Sequence, residues 1–317
     1  VDWQGAPAGE AMKQPPPDHL LYPLQDFADS CAEKVNAGAA LMQDSSVAIV
    51  GLARNCGPAP QKNLDRALDL AVECGEFAIH IEENDSTDTT RQVLVDYCRD
   101  HSNVTATMQT LGRKQRGNEF AGPRTQALAE YRAACQSWVR DCAADADYVV
   151  VVDWDQQGSW SQFGVLNGFG WLASMPEAYG MASVSMLESR IATTSGGGLS
   201  LSTGWLHYDA WALRLNAYYD DYGAGLGAWK HQWLPLVGSD PVPVRSAFGG
   251  LCIYRTQDYL AGTYSGEDCE HVTFHRTIAG HTGRTLYLNP TQRCVMQWLE
   301  DTDGGRDCDH LNPDVPR

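Results

Sequence analysis

Residues 148–160 read "YVVVVDWDQQGSW". The valines form a short apolar run of the kind buried on both faces in a parallel sheet, and they lead into two aspartates one residue apart. Side chains alternate along an extended strand, so Asp153 and Asp155 share a side if the strand continues through them. Two carboxylates on one side repel unless a proton or cation sits with them. A hard divalent ion with oxygen ligands, Mn²⁺ or Mg²⁺, is the natural occupant, and its remaining positions take phosphate oxygens. The plainer alternative makes one aspartate a turn cap and leaves the other solvated. For an isolated D-x-D triplet the plainer alternative is stronger, so the surrounding sequence has to decide.

Upstream, strand-like and helix-like segments alternate. "SVAIVGLA" from residue 46 is a buried-type strand, followed by the helical spacing of Leu64, Leu68, Ala71 and Val72. "FAIHIEEN" is a second strand, and "STDTTRQVLVDYCRD" a helix opened by capping residues. "VTATMQ" and the long helix "GPRTQALAEYRAACQSWVRDC" come next, so "DYVVVVDWD" is the fourth strand. This β-α-β-α-β-α-β order predicts an α/β fold with a mostly parallel central sheet flanked by helices. In such sheets ligands bind beyond the carboxyl ends of the strands, where "ENDSTD" and "DWD" both fall.

The predicted organisation is an irregular N-terminal arm, 1–45, carrying one helix-like stretch, and a single catalytic domain, 46–317. Within it, 46–155 form a nucleotide-binding half, 156–290 an acceptor and catalytic half, and 291–317 a C-terminal tail. Further strands are expected at "YGMASVSML", "SAFGGLCIYR" and "TLYLNP", and a helix at "DCEHVTFHRTIAG". "SGGGLSLSTG" matches no phosphate-loop pattern and reads as a mobile loop on the acceptor side.

Composition is that of a globular protein, with 43% hydrophobic and 20% charged residues. The net charge of −17 excludes broad binding to nucleic acid or an anionic membrane face, and no apolar run reaches membrane-spanning length. The ten cysteines include no C-x-x-C pair, which argues against a zinc knuckle. Cys294 and Cys308 lie where a disulfide would secure a polar tail. The chain begins "VDWQG" without methionine, as a trimmed form does. The compartment therefore reads as cytoplasmic or, if an N-terminal anchor has been removed, as the lumen of the secretory pathway.

Other strand ends carry further candidates. Glu83 and Asp85 in "ENDSTD" can accept hydrogen bonds from a base or ribose, while the same turn supplies helix caps. Arg54 and Asn55 sit on the turn "GLARNCG". Arg124 opens the long helix, where the macrodipole disfavours it, and contact with a diphosphate is one reason for its presence. "YSGEDCEHVTFHR" crowds Glu267, Asp268, Glu270, His271 and His275 together. It suggests a general base among the three acids and a histidine completing a metal shell.

The order "VAIVGLARN", "IEENDSTDTT", "VVVDWD", "HYDAWALR", "PVRSAFGGLCIYR" and "YSGEDCEH" resembles nucleotide-sugar glycosyltransferases of the GT-A fold, in particular the capsule-associated fungal α-mannosyltransferases. The resemblance spans roughly residues 46–276. It implies metal-dependent transfer of a sugar, mannose favoured, from GDP-mannose or a UDP-sugar to a glycan hydroxyl. By position it implies Asp153 and Asp155 as the metal-binding pair, Asp155 the firmer of the two and Asp153 reaching either the ribose or the ion through water, and His275 as a third ligand. It implies Asp85 at the base or ribose, Arg124 at the diphosphate, and Glu267 or Asp268 as catalytic base. Asp209 in "HYDAWALR" is expected at sugar hydroxyls, and Gly249 and Gly250 allow close backbone approach. Trp205, Tyr208, Trp211, Trp229 and Trp233 offer a sugar-stacking face or, equally, core. "GEDCEH" is closer to inverting enzymes than to the capsule group's "SEC", which leaves both anomeric outcomes open. Two other classes compete. A nucleotidyl or phosphoryl transferase would use the same aspartates but usually carries a Gly-rich basic loop, which "GLARNCG" lacks. A non-catalytic carbohydrate-binding protein would account for the ten tryptophans.

Overall fold

Alternation within the apolar runs sets the layers. Ala48, Val50, Val149 and Val151 point into one core cluster, and Val47, Ile49, Val150 and Val152 into a second on the opposite face. A strand buried on both sides needs helices on both sides, which is why these runs are continuously apolar. The structure, a computed structural model, describes residues 16–57, 59–115, 122–195, 198–209, 211–215, 230–231 and 233–297.

The first half follows the expected order: α1 (Asp18–Leu21), α2 (Gln25–Gln43), β1 (Ser46–Ala53), α3 (Ala59–Ala71), β2 (Glu76–Asn84), α4 (Thr90–Asp100), β3 (Val104–Gln109), α5 (Pro123–Cys142) and β4 (Tyr148–Asp153). The second half adds β5 (Ser159–Trp160), α6 (Gln162–Ser174), β6 (Ala178–Ser195), β7 (Gly198–Tyr208), β8 (Lys230–His231) and β9 (Val242–Val244). It closes with β10 (Leu251–Arg255), α7 (Thr256–Ala261), α8 (Glu270–Thr282) and β11 (Thr285–Gln297).

Among the described residues the strands form one sheet with the main order β3-β2-β1-β4-β10-β6-β11-β5. The run β3-β2-β1-β4 is parallel, and β10 joins β4 antiparallel. Beyond β4 the sheet is mixed: β6 is antiparallel to β10 and parallel to β11. The second half thus completes the sheet begun by the first.

The helix-like stretch of the N-terminal arm is α2, which lies against α6 through glycines, and two other expectations change. A Cβ on Gly38 would stand 1.8 Å from the Leu166 carbonyl oxygen, and one on Gly170 would stand 1.8 Å from that of Lys34. "SGGGLSLSTG" belongs to the β6–β7 hairpin, paired from Ser195↔Gly198 outward, with 196–197 outside the described residues. The tail begins later than residue 291, because β11 runs to Gln297. Cys294 is a fully buried free thiol within that strand, and Cys308 lies outside the described residues. Among the described residues no helix is long and apolar enough to cross a membrane.

Candidate functional site

A cleft of about 510 Å³ opens at the carboxyl ends of β1, β2 and β4, where parallel α/β sheets hold ligands. Its walls come from the turns after those strands, the first turns of α5, the segment before β10 and the start of α8. Of the residues singled out in the sequence, Arg54, Arg124, Asp153, Asp155, Tyr208, Asp209, Trp211, Gly250, Glu270 and His271 line it. Asn55, Glu83, Asp85, Gly249, Glu267, Asp268 and His275 do not.

The strand does not continue through the acid pair: β4 ends at Asp153, and Trp154 and Asp155 form a turn. Burial anchors that turn. Trp154 is fully buried, edge-on to Trp160 with ring centroids 6.4 Å apart. Asn63 on α3 donates from Nδ2 to the carbonyls of Trp154 and Gln156 at 2.8 and 3.0 Å. Gln156 Nε2 donates to the Asp153 and Gly250 carbonyls. Both aspartates therefore reach the same cleft, though by a turn and not by strand alternation. Asp153 accepts a hydrogen bond from Arg132 Nη2, while Asp155 is exposed to the cleft. Desolvation by the cleft walls, then the neighbouring Asp153, raise the Asp155 carboxyl.

The turn after β2 is closed on itself. Glu83, 1% exposed, accepts from the Ser86 N–H at 2.7 Å and from Arg91 Nε at 2.7 Å. Asp85, at φ 56°, accepts from the N–H groups of Leu111, Gly112 and Arg113 at 2.8–3.0 Å. Desolvation opposes these bonds, yet together with Asn84 they bring its carboxyl down to about 2. Asn55 belongs to the same network: its N–H donates to Ser86 Oγ, and its Oδ1 accepts from the Thr87 N–H. These residues order the rim, and from β2 it is Asn84 that lines the cleft.

On the far wall, Asp209 Oδ2 accepts from the Gly249 N–H at 3.0 Å. Desolvation, opposed by that bond and reinforced by Asp153 and Glu270, lifts its carboxyl to about 7. Gly249 is needed for internal packing: at φ 67° its absent Cβ would stand 2.1 Å from the Ser183 carbonyl oxygen. Gly250 faces the cleft.

The "GEDCEH" segment is resolved by where its helix starts. Cys269 is the N-cap of α8, so Glu267 and Asp268 stand outside the helix. Glu267 is exposed. Asp268 pairs with Arg214 Nη2 at 3.3 Å and accepts from the Cys269 N–H. The acid that lines the cleft is Glu270, 4% exposed. Burial raises its carboxyl, against the pull of Arg132 and Arg124. The two histidines of the segment are placed differently. His275 is fully buried, with Nδ1 bonded to Ser246 Oγ at 3.0 Å and Nε2 to Tyr254 Oη at 2.8 Å. It has no ring nitrogen left for a metal. His271, one turn earlier, lines the cleft.

Among the described residues no group of three or more His, Cys, Asp or Glu side chains is arranged to hold a metal ion. What the cleft supplies is two crowded carboxylates, one of them open, a donor set that suits a hard cation completed by ligand oxygens. Of the aromatic candidates, Tyr208 and Trp211 line the cleft; Trp205 and Trp233 do not, and Trp229 lies outside the described residues.

Arg132 is a cleft residue that no sequence motif singles out. It occupies the buried stripe of α5 with Thr125, Ala129, Cys135 and Val139. A charge on an otherwise core-facing stripe was the available signal, because a buried guanidinium needs a partner.

The chain is similar to the mannosyltransferase PcManGT from Pyrobaculum calidifontis in complex with GDP-Man and Mn²⁺, at 13% identity and a TM-score of 0.45, over 85% of this chain and 67% of that one. It is similar to GalNAc-T7 with UDP, GalNAc and Mn²⁺, at 10% identity and a TM-score of 0.47, over 95% of this chain but 60% of that one. A third similar structure is glucosyl-3-phosphoglycerate synthase from Mycobacterium tuberculosis in complex with uridine-diphosphate, at 12% identity and a TM-score of 0.45, over 87% and 78%. No protein-family profile and no curated protein matches the chain. All three likenesses fall below a TM-score of 0.5, so a functional assignment has to rest on the residues of the cleft.

Proposed function

We propose that the chain is a glycosyltransferase of GT-A architecture, moving a hexosyl group from a nucleoside diphosphate sugar to a hydroxyl of a glycan acceptor. The observation that carries this reading is the meeting of Asp153 and Asp155 with the buried carboxyl of Glu270 in one cleft at the strand ends. Asp155, with Asp153 beside it, would hold a divalent ion, Mn²⁺ or Mg²⁺. Such an ion neutralises charge developing on a leaving diphosphate. Arg124, Arg54 and Lys114 line the cleft and offer cationic groups to the diphosphate oxygens.

Glu270 is the general base in this reading, in place of Glu267 and Asp268. Its raised carboxyl takes the proton of the acceptor hydroxyl as the oxygen attacks the anomeric carbon. The bond to the diphosphate breaks, and the diphosphate leaves with the electron pair. Asp209 faces sugar hydroxyls. The sequence resemblance makes mannose, carried by GDP, the first donor to test, with UDP-sugars beside it.

The test is release of nucleoside diphosphate from GDP-mannose and a panel of UDP-sugars, with Mn²⁺ and with chelator. Glu270→Gln is expected to lower kcat by about 10²–10⁴-fold, the range for loss of a general base, while donor binding persists. Full activity in Asp155→Ala, or turnover indifferent to chelator, overturns the role given to the acid pair.

A further inference from the structure

Two buried side chains of the cleft carry polar atoms that nothing among the described residues satisfies. Arg132, 3% exposed, gives Nη2 to Asp153, but its Nε and Nη1 have no partner there. His271, also 3% exposed, has neither ring nitrogen hydrogen-bonded. Its nearest carboxylate oxygen, Glu270 Oε1, is 3.7 Å from Nε2, beyond hydrogen-bond reach. Both residues line the cleft and both pack on one aromatic ring. The imidazole stacks on Phe248 with centroids 3.8 Å apart and planes at 13°, and the guanidinium carbon lies 4.9 Å from the same ring.

A buried donor or acceptor left unpaired costs about 1–3 kcal/mol, so several together in one cleft call for an explanation, a bound group completing them being one. We infer that Arg132 and His271 form the subsite that reads the hydroxyls of the transferred sugar, and that this sugar is a neutral hexose. The inference rests on the glycosyltransferase reading above.

The chemistry of the two groups fits a hydroxyl. Burial, then the charge of Arg132, then His275 hold the His271 imidazole neutral, so it offers one donor and one acceptor. The guanidinium offers donors alone. A sugar hydroxyl can accept from a guanidinium and donate to a neutral imidazole. A carboxylate on the sugar would meet the Asp153 carboxylate, already paired with Arg132, on the same wall, and like charges repel. The stacking on Phe248 fixes both groups before a ligand arrives, the preorganisation that discrimination needs. A site built around unpaired polar atoms rejects an analogue lacking the matching hydroxyl more strongly than an apolar pocket does.

The experiment uses whichever of UDP-glucose and GDP-mannose the full chain binds more tightly. Titration calorimetry measures the parent, its monodeoxy-sugar analogues, the matching uronic-acid nucleotide and the bare UDP or GDP. The wild type is expected to bind at least one monodeoxy analogue, and the uronic-acid nucleotide, about tenfold or more weakly than the parent, a difference of about 1.4 kcal/mol. His271→Phe is expected to lose that deoxy-sugar discrimination while affinity for the bare nucleotide stays within about twofold. His271→Gln, which keeps a donor and an acceptor, retains part of it. Equal weakening of sugar nucleotide and bare nucleotide overturns the subsite. So does a loss of Mn²⁺ affinity in His271→Phe with the discrimination unchanged, because His271 would then be a metal ligand. Failure of the wild type to bind either nucleotide overturns the glycosyltransferase reading along with it.

Discussion

Two acidic turns stand at neighbouring strand ends, and they differ in what their oxygens are doing. After β2, Glu83 and Asp85 spend their carboxylates on the Arg91 guanidinium and on backbone N–H groups of their own and the adjoining loop. After β4, Asp153 is held by Arg132, and Asp155 opens to the cleft. The same contrast recurs on α8 in a pair of histidines one turn apart. His275 has both nitrogens engaged in the core, whereas His271 has neither engaged among the described residues and faces the cleft. Residue type and position at a strand end do not distinguish these cases. The unspent hydrogen-bonding capacity does.

The sharpest way to break the contrast is to remove a closed group and ask whether function, and not stability, suffers. Glu83→Ala removes the acceptor of the half-buried Ser86 N–H and of Arg91 Nε, while the other Arg91 nitrogens keep Thr110 and Gln109, a loss of about 3 kcal/mol, read as a lowered midpoint in urea unfolding. Nucleotide affinity of the folded protein is expected to be unchanged. Wild-type stability with abolished nucleotide binding would mean that the β2 turn is a ligand site after all. His275→Ala is expected to cost about 2–3 kcal/mol, from the cavity and from the unpaired Ser246 and Tyr254 hydroxyls. Because its nitrogens face the core, Mn²⁺ titration of the variant should match the wild type. A selective loss of Mn²⁺ affinity would return His275 to the metal shell.

The contrast also explains what could be read from the chain alone. The first-half elements were legible because their apolar runs and caps are local signals, and β1, β3 and α5 span the segments expected. The cleft position followed from β-α order. Which acid of "GEDCEH" lines the cleft was not legible, because it depends on where α8 starts. With Cys269 as N-cap, Glu270 turns inward while Asp268 goes to Arg214. No local pattern reveals that pairing, because Arg214 comes from a segment more than fifty residues away. Arg132 and Phe248 were missed for the same reason, since their meeting is tertiary.

Asp209 is intermediate between the two groups, and its titration gives the smallest and most discriminating test. It accepts from the Gly249 N–H, and its folded carboxyl is raised to about 7, first by desolvation. Below about pH 4 the carboxyl is protonated in both folded and unfolded chains, and the group adds no pH dependence. Between that pH and about 7 the folded state keeps a proton that the unfolded state releases. Stability therefore falls as pH rises across this window. The amide introduced by Asp209→Asn would still accept the Gly249 bond but would not titrate, so this variant is expected to match the wild type near pH 4. By pH 8 it should be more stable by about 1 kcal/mol, the full shift being reduced because the cleft admits water. Thermal melts of both proteins across that range check the sign. A variant less stable than the wild type at pH 8 would show that the protein favours the ionised carboxylate there, and Asp209 would then belong with the closed groups of the β2 turn.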